Sequence, residues 1–153
     1  MIDIFFDKVE ISKKKEIRLI VRNTLNFGVK ELKIKRNFYI SVLLTNNQKI
    51  KEINLRYRKI NKPTNVLSFD QNEKRILDNQ SFFMILGDIV VSIEKIMTES
   101  LEQGKTFKQH LTHMLIHGLL HLTGHSHKNK KEAKLMEKKE ILMLSKLSIP
   151  SPY

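Results

Sequence analysis

The chain has 153 residues, of which 41% are hydrophobic; it contains no cysteine and carries a net charge of +12. That length suits a single domain over 1–153, burying ~68–70% of the surface its unfolded form exposes, and the apolar content excludes a wholly disordered chain. Without cysteine there are no disulfides, thiolate metal sites or cysteine nucleophiles, which suits a reducing cytoplasm; the basic excess favours a polyanionic partner, nucleic acid or an anionic membrane surface, although scattered lysines also suit a plain solvated surface.

The first residues lack the basic start and long apolar region of a signal peptide, and Ile2 to Phe6 reads as a strand. Beyond Ser12, the residues Ile17, Ile20, Val21, Leu25 and Phe27 recur at helical spacing, predicting a helix that closes near Gly28. Phe38 to Leu44, rich in β-branched and aromatic residues, predicts a second strand. Asn46 to Tyr57 follows as an amphipathic helix, with Ile50, Ile53 and Tyr57 on one face. Pro63 forces an extended entry into a third strand, Val66 to Phe69. Residues 70 to 81 are polar and read as a surface loop, and Phe83 to Val91 as a mostly buried fourth strand. The longest apolar stretch, Phe82 to Ile93, is too short to span a bilayer, so a membrane-free, cytoplasmic protein is expected.

Ile93, Ile96, Met97 and Leu101 predict a further helix, broken at Gly104. Thr106 with Gln109 forms a capping box that starts the next helix, which runs to about Thr123. That helix is apolar on most sides, which predicts a central buried position. After it come a basic run, Lys128 to Lys131, a final helix over Ala133 to Leu147, and an extended tail containing Pro150 and Pro152. Strands interleaved with helices, followed by helices alone, predict an α/β (α+β) fold: a small mixed four-stranded sheet packed with about five helices around a central histidine-bearing helix.

The chemistry concentrates in His117-Gly-Leu-Leu-His-Leu-Thr-Gly-His-Ser-His127. Residues four apart on a helix are offset by only ~40°, so His117 and His121 share a face and can grip one ion. Gly124 suits the left-handed conformation that ends a helix, and the turn there would return His127 as a third ligand. Three protein ligands leave a fourth position for water, the mark of a catalytic rather than a structural zinc site. The spacing also matches the H-E-x-x-H-x-x-G-x-x-H pattern of metzincin proteases, except that Gly118 stands where those carry their glutamate base. Taken singly, each histidine reads as an ordinary packed or solvent-exposed residue. That plain reading extends to His110 and His113, although His113, one turn before His117, could also contact a ligand or substrate. Asp88, in a predicted buried strand, needs a partner; it could hold a ligand histidine or cap a loop.

Together with two other stretches, this motif resembles the YbeY family of bacterial endoribonucleases. His117 to His127 is similar to that family's H-G-x-L-H-L-x-G-Y-D-H. Arg58-Lys-Ile-Asn-Lys-Pro-Thr-Asn-Val-Leu-Ser-Phe69 resembles its arginine followed by D-K-P-T-D/N-V-L-S-F, and Leu86-Gly-Asp-Ile-Val-Val-Ser92 resembles its L-G-D-I-x-I-S strand. The resemblance runs in the family's order over about residues 1 to 147. It implies a single-strand-specific, zinc-dependent endoribonuclease that acts in late small-subunit maturation, at the 3′ end of 16S rRNA, and in ribosome quality control. Ribosomal RNA and the small ribosomal subunit are the implied partners, with one Zn2+ on His117, His121, His127 and a water, and no small-molecule cofactor. Arg58 matches the arginine of the family's cleft, and its guanidinium could brace two phosphate oxygens in the transition state; a surface charge near a turn is its plainer role. The chain departs from the pattern at Asn61, His125 and Ser126, of which Ser126 could orient an imidazole only as a neutral partner. His125 could be mistaken for a ligand in place of His127, which the spacing favours.

Zinc lowers the pKa of bound water to ~7, so hydrolysis would not require a glutamate at position 118. Two other readings compete. A metalloprotease-like hydrolase is disfavoured by Gly118 and the basic charge, and a non-catalytic ribosome-binding factor with a structural zinc would call for a fourth protein ligand such as His125 or His113.

Overall fold

A computed structural model describes residues 1–35, 37–71 and 83–153. Its elements run β1 (Ile2–Phe6), α1 (Ile11–Glu31), β2 (Asn37–Thr45), α2 (Asn47–Arg58), β3 (Val66–Asp70), β4 (Phe83–Ser92), α3 (Ile93–Glu102), α4 (Phe107–Leu122) and α5 (Lys130–Lys146). The strands form one mixed sheet in the order β1-β2-β4-β3, with β1, β2 and β4 parallel and β3 antiparallel to β4. This is the α/β architecture expected, with four strands and five helices among the described residues. Beyond Gln71, the loop expected over 70–81 lies outside them. No helix among them is long and apolar enough to cross a membrane.

Alternation along β2 turns Phe38, Ile40, Val42 and Leu44 toward the helices, where Ile40, Val42 and Leu44 are fully buried. Helix α4 lies at the centre. Leu111, Leu115, Leu119 and Leu122 enter the main core with the sheet, α1 and α3, while Ile116 and Leu120 join Met136, Met143 and Leu144 of α5 in a second cluster. A helix apolar on two flanks has to be covered on both, which is why α5 exists as a separate layer.

Three boundaries differ from expectation for definable reasons. Helix α1 continues past Gly28 to Glu31, and the left-handed residue beyond it is Lys33, at φ 55°. Gly28 instead marks the crossing of α1 and α4: a Cβ there would stand 2.4 Å from Leu119 Cδ2. Helix α5 begins at Lys130, not Ala133, because the Asn129 side chain caps it by accepting from the Glu132 N–H at 2.9 Å. Finally, the segment after α5 folds back onto the molecule. Ser148 turns it at φ 59°, the Ile149 N–H donates to Leu144 O at 3.0 Å, and the Tyr153 hydroxyl reaches Glu140.

Candidate metal centre

Helix α4 is fastened at both ends. Thr106 Oγ1 accepts from the Gln109 N–H while Gln109 Oε1 accepts from the Thr106 N–H, both at 3.1 Å, so the expected capping box is present. At the other end Gly124 adopts φ 99°, its N–H donates to His121 O (3.2 Å), and the His125 N–H donates to Leu120 O (3.0 Å). That pair of bonds is the Schellman arrangement, which ends a helix and reverses the chain sharply. The reversal brings His127 beside the two helical histidines.

His117, His121 and His127 each offer a ring nitrogen within 4.8 Å of the others, and among the described residues no fourth group joins them. The Nε2 atoms of His117 and His121 are 3.1 Å apart. Two nitrogens bound at ~2.0–2.1 Å in a tetrahedron would be ~3.3 Å apart, so this pair already fits one zinc ion. His127 is exposed, its ring centroid 4.8 Å from that of His121 and 5.7 Å from that of His117.

The other ring nitrogens carry the protons. His121 Nδ1 lies 3.1 Å from His125 O, and His117 Nδ1 lies 2.5 Å from Glu140 Oε1. A carbonyl and an ionised carboxylate can only accept, so both imidazoles must donate through Nδ1 and present the Nε2 lone pair to the cavity. Burial, and then the neighbouring His117 and His127, lower the His121 pKa to about 4, so it is neutral and ready to ligate at pH 7.

Glu140 is fully buried. Burial pushes its carboxyl up, but hydrogen bonds from His113, His117 and Tyr153, with the nearby His117 charge, outweigh that and hold it at about 2. His113 Nε2 donates to Glu140 Oε2 at 3.2 Å, so His113 is a packed histidine whose accessible nitrogen is already engaged. His110 is buried too and binds Glu99 at 2.6 Å. Ser126 does not orient a ligand imidazole; its hydroxyl donates to Glu132 on the first turn of α5. Asp88 accepts from the Ser41 hydroxyl and lines a separate cavity with Tyr57 and Phe69, so it holds no ligand histidine.

Arg58, at the end of α2, lines the same cavity as the three histidines, about 670 Å³ in volume, with Ser68 and Lys128. Its Nη2 donates to Ser68 O at 2.6 Å, and its guanidinium lies 5.1 Å from the Phe69 ring centroid. Gly118, in the position where a metzincin carries glutamate, is buried against the sheet. A Cβ there would be 3.2 Å from Ser68 Oγ and 3.3 Å from Ile89 Cδ1, so any side chain would have to displace these two by a few tenths of an ångström.

Glu140 and Tyr153 are absent from any motif. A signal for Glu140 does exist: it falls between Met136 and Met143 on the buried stripe of α5, a charged residue where the helical period calls for an apolar one.

A mixed sheet carrying a central helix, a glycine turn and three convergent histidines defines a small α/β protein with a histidine cluster that could hold a metal ion, beside a glycine at position 118. The family model described as Endoribonuclease YbeY matches residues 2–148. An Endoribonuclease YbeY from Syntrophomonas wolfei is 38% identical over 144 residues, covering 92% of each chain. Another of that name, from Bartonella bacilliformis, is 46% identical over 114 residues, covering 74% of this chain and 71% of its own. The solution structure of TM1509 from Thermotoga maritima superposes with a TM-score of 0.60 at 27% identity, covering 100% of this chain and 96% of its own. The chain belongs to the YbeY endoribonuclease family.

Proposed function

We propose that the chain is a metal-dependent endoribonuclease, one domain over 1–153, that cuts single-stranded RNA. Its zinc is held by His117, His121 and His127, and Arg58 serves as the phosphate clamp. The observation that carries this reading is the shared cavity: the Arg58 guanidinium and the three imidazoles, two of them with Nδ1 engaged elsewhere, line the same space. When bound, zinc supplies Lewis acidity and a nucleophile from water at neutral pH. The residues do the rest. His121 and His117 turn Nε2 toward the cavity because Nδ1 of each is engaged elsewhere. Arg58 offers its remaining N–H donors to the non-bridging oxygens where charge builds up. Lys128 at the cavity wall and the overall charge of +12 favour a polyanion.

The biological setting that accompanies this activity is late maturation of the small ribosomal subunit, at the 3′ end of 16S rRNA, together with ribosome quality control in the cytoplasm. The crowding at Gly118 disfavours a protease, and a three-residue ligand group disfavours a purely structural zinc. The deciding experiment incubates purified protein, zinc-loaded or chelated, with a precursor rRNA fragment and with casein. RNA cut only with metal is expected. Casein cleavage would overturn the reading in favour of a protease, and no cleavage of either substrate in favour of a binding factor.

A further inference from the structure

The Glu140 carboxylate has no lysine or arginine beside it among its hydrogen-bond partners, yet it is fully buried and ionised. Three donors hold it: His117 Nδ1 on Oε1, and His113 Nε2 and the Tyr153 hydroxyl on Oε2. The donors come from two different places in the chain. His113 and His117 lie one turn apart on α4, while Tyr153 arrives from the segment that folds back after α5, its ring edge-on to His113 at 6.0 Å.

We infer that Glu140 and Tyr153 form a positioning pair for the metal centre, in which Tyr153 fixes the carboxylate and the carboxylate fixes the His117 ring. A free imidazole can turn over about its χ2 bond and can carry its proton on either nitrogen; only one of these states aims a lone pair from Nε2 into the cavity. An acceptor held against Nδ1 selects that state and makes the ligand nitrogen more basic. Oε1 can perform this task only while Oε2 is anchored, and Oε2 takes both the His113 Nε2 and the Tyr153 hydroxyl, a phenol that stays protonated and donating at neutral pH. Docking of the 149–153 segment, held by the Ile149–Leu144 backbone bond and by Ile149 against the second apolar cluster, is thereby tied to the proposed metal centre through Glu140. Neither residue touches substrate in this scheme; both act through His117.

The inference rests on the proposed metal site, and its test separates the two. Zinc affinity is measured by competition with a chromophoric chelator for the wild type, Tyr153→Phe and Glu140→Gln. The imidazole tautomers of the metal-free proteins are read by nitrogen-15 NMR, and their melting temperatures by calorimetry. Tyr153→Phe keeps the ring against His113 and removes only the hydroxyl. It is expected to weaken zinc binding about 10-fold and Glu140→Gln up to about 100-fold, with His117 shifting from a pure Nδ1–H form to a mixture. A lower melting temperature for Tyr153→Phe with unchanged zinc affinity and unchanged His117 tautomer would mean that the hydroxyl merely braces the fold, and would overturn the proposal. If the wild type failed to bind zinc, the metal-site reading would fall, while the His117 tautomer in wild type against Tyr153→Phe would still decide the pair. If Glu140→Gln did not fold, Tyr153→Phe alone would carry the test.

Discussion

The crossing of α1 and α4 at Gly28 and Leu119 sets how closely the histidine helix lies against its neighbour, and it can be tested with a double-mutant cycle. In Gly28→Ala the new methyl would stand 2.4 Å from Leu119 Cδ2, in a place where Leu119 is fully buried and has little room to move. Overpacking by one methyl costs about 1–3 kcal/mol. The gain in helix propensity from Gly to Ala offsets roughly 1 kcal/mol of that. The net expectation is a loss of about 1 kcal/mol, or roughly 2–4 °C in melting temperature for a chain of this size. Leu119→Ala alone should cost about 2–5 kcal/mol through loss of burial and the cavity left behind. In the double variant the clash disappears, the propensity gain remains, and the methyl added at position 28 fills part of the cavity. The double variant should therefore be more stable than the sum of the singles predicts, by about 1–3 kcal/mol. Urea denaturation of the metal-free proteins measures all four corners. Strict additivity within about 0.5 kcal/mol would show that the two groups do not meet and that the crossing is wrongly drawn.

Arg58→Ala should reduce RNA cleavage about 10²–10³-fold with zinc content and melting temperature unchanged, and Arg58→Lys should recover little because it cannot bond bidentately; zinc loss by elemental analysis would refute the assignment. Zinc at about 100 times its dissociation constant should stabilise the fold by about 2.7 kcal/mol, read as a rise in melting temperature that a chelator reverses. A Gly118→Glu variant should not cleave casein and should unfold at lower urea, since its side chain would press on Ser68 and Ile89; casein turnover would contradict this. In the metal-free protein, His121 resists protonation down to about 4, whereas the unfolded chain takes up that proton near 6.5. The unfolded state thus binds more protons across that window, and stability falls as pH drops from 6.5 toward 4. Urea midpoints at about pH 7, 5.5 and 4.5 check the slope, and a flat profile would count against the buried, neutral ligand.

Much of this was legible in the sequence wherever the cause of a feature is local. The Thr106–Gln109 box, the start of α2 at Asn46 and the turn at Gly124 each depend on residues within five positions of one another. Gly28 was legible as important but not for its reason, because a helix end and a close helix crossing both demand a missing Cβ, and only the partner helix distinguishes them. Asp88 could not be placed either, because the face on which a strand residue emerges depends on register, and the register of β4 shifts at the irregularity opposite Tyr39 and Ile40. Glu140 was hidden by distance: its donors lie 23, 27 and 13 positions away, and no period links them. The histidine triad could be read because helix geometry and one glycine suffice to bring it together.

The tether on Arg58 has a consequence for whatever anion enters the cavity. Of the five N–H donors on a guanidinium, one is already committed to the Ser68 carbonyl, and the Phe69 ring lies beside the planar group. Holding a long basic side chain still costs roughly 2 kcal/mol of rotational freedom, and here that loss falls on folding instead of on capture. Under the proposed function, an incoming phosphodiester would meet a fork already tethered through one donor, and discrimination between correctly and wrongly seated strands would pass to the alignment of the strand itself.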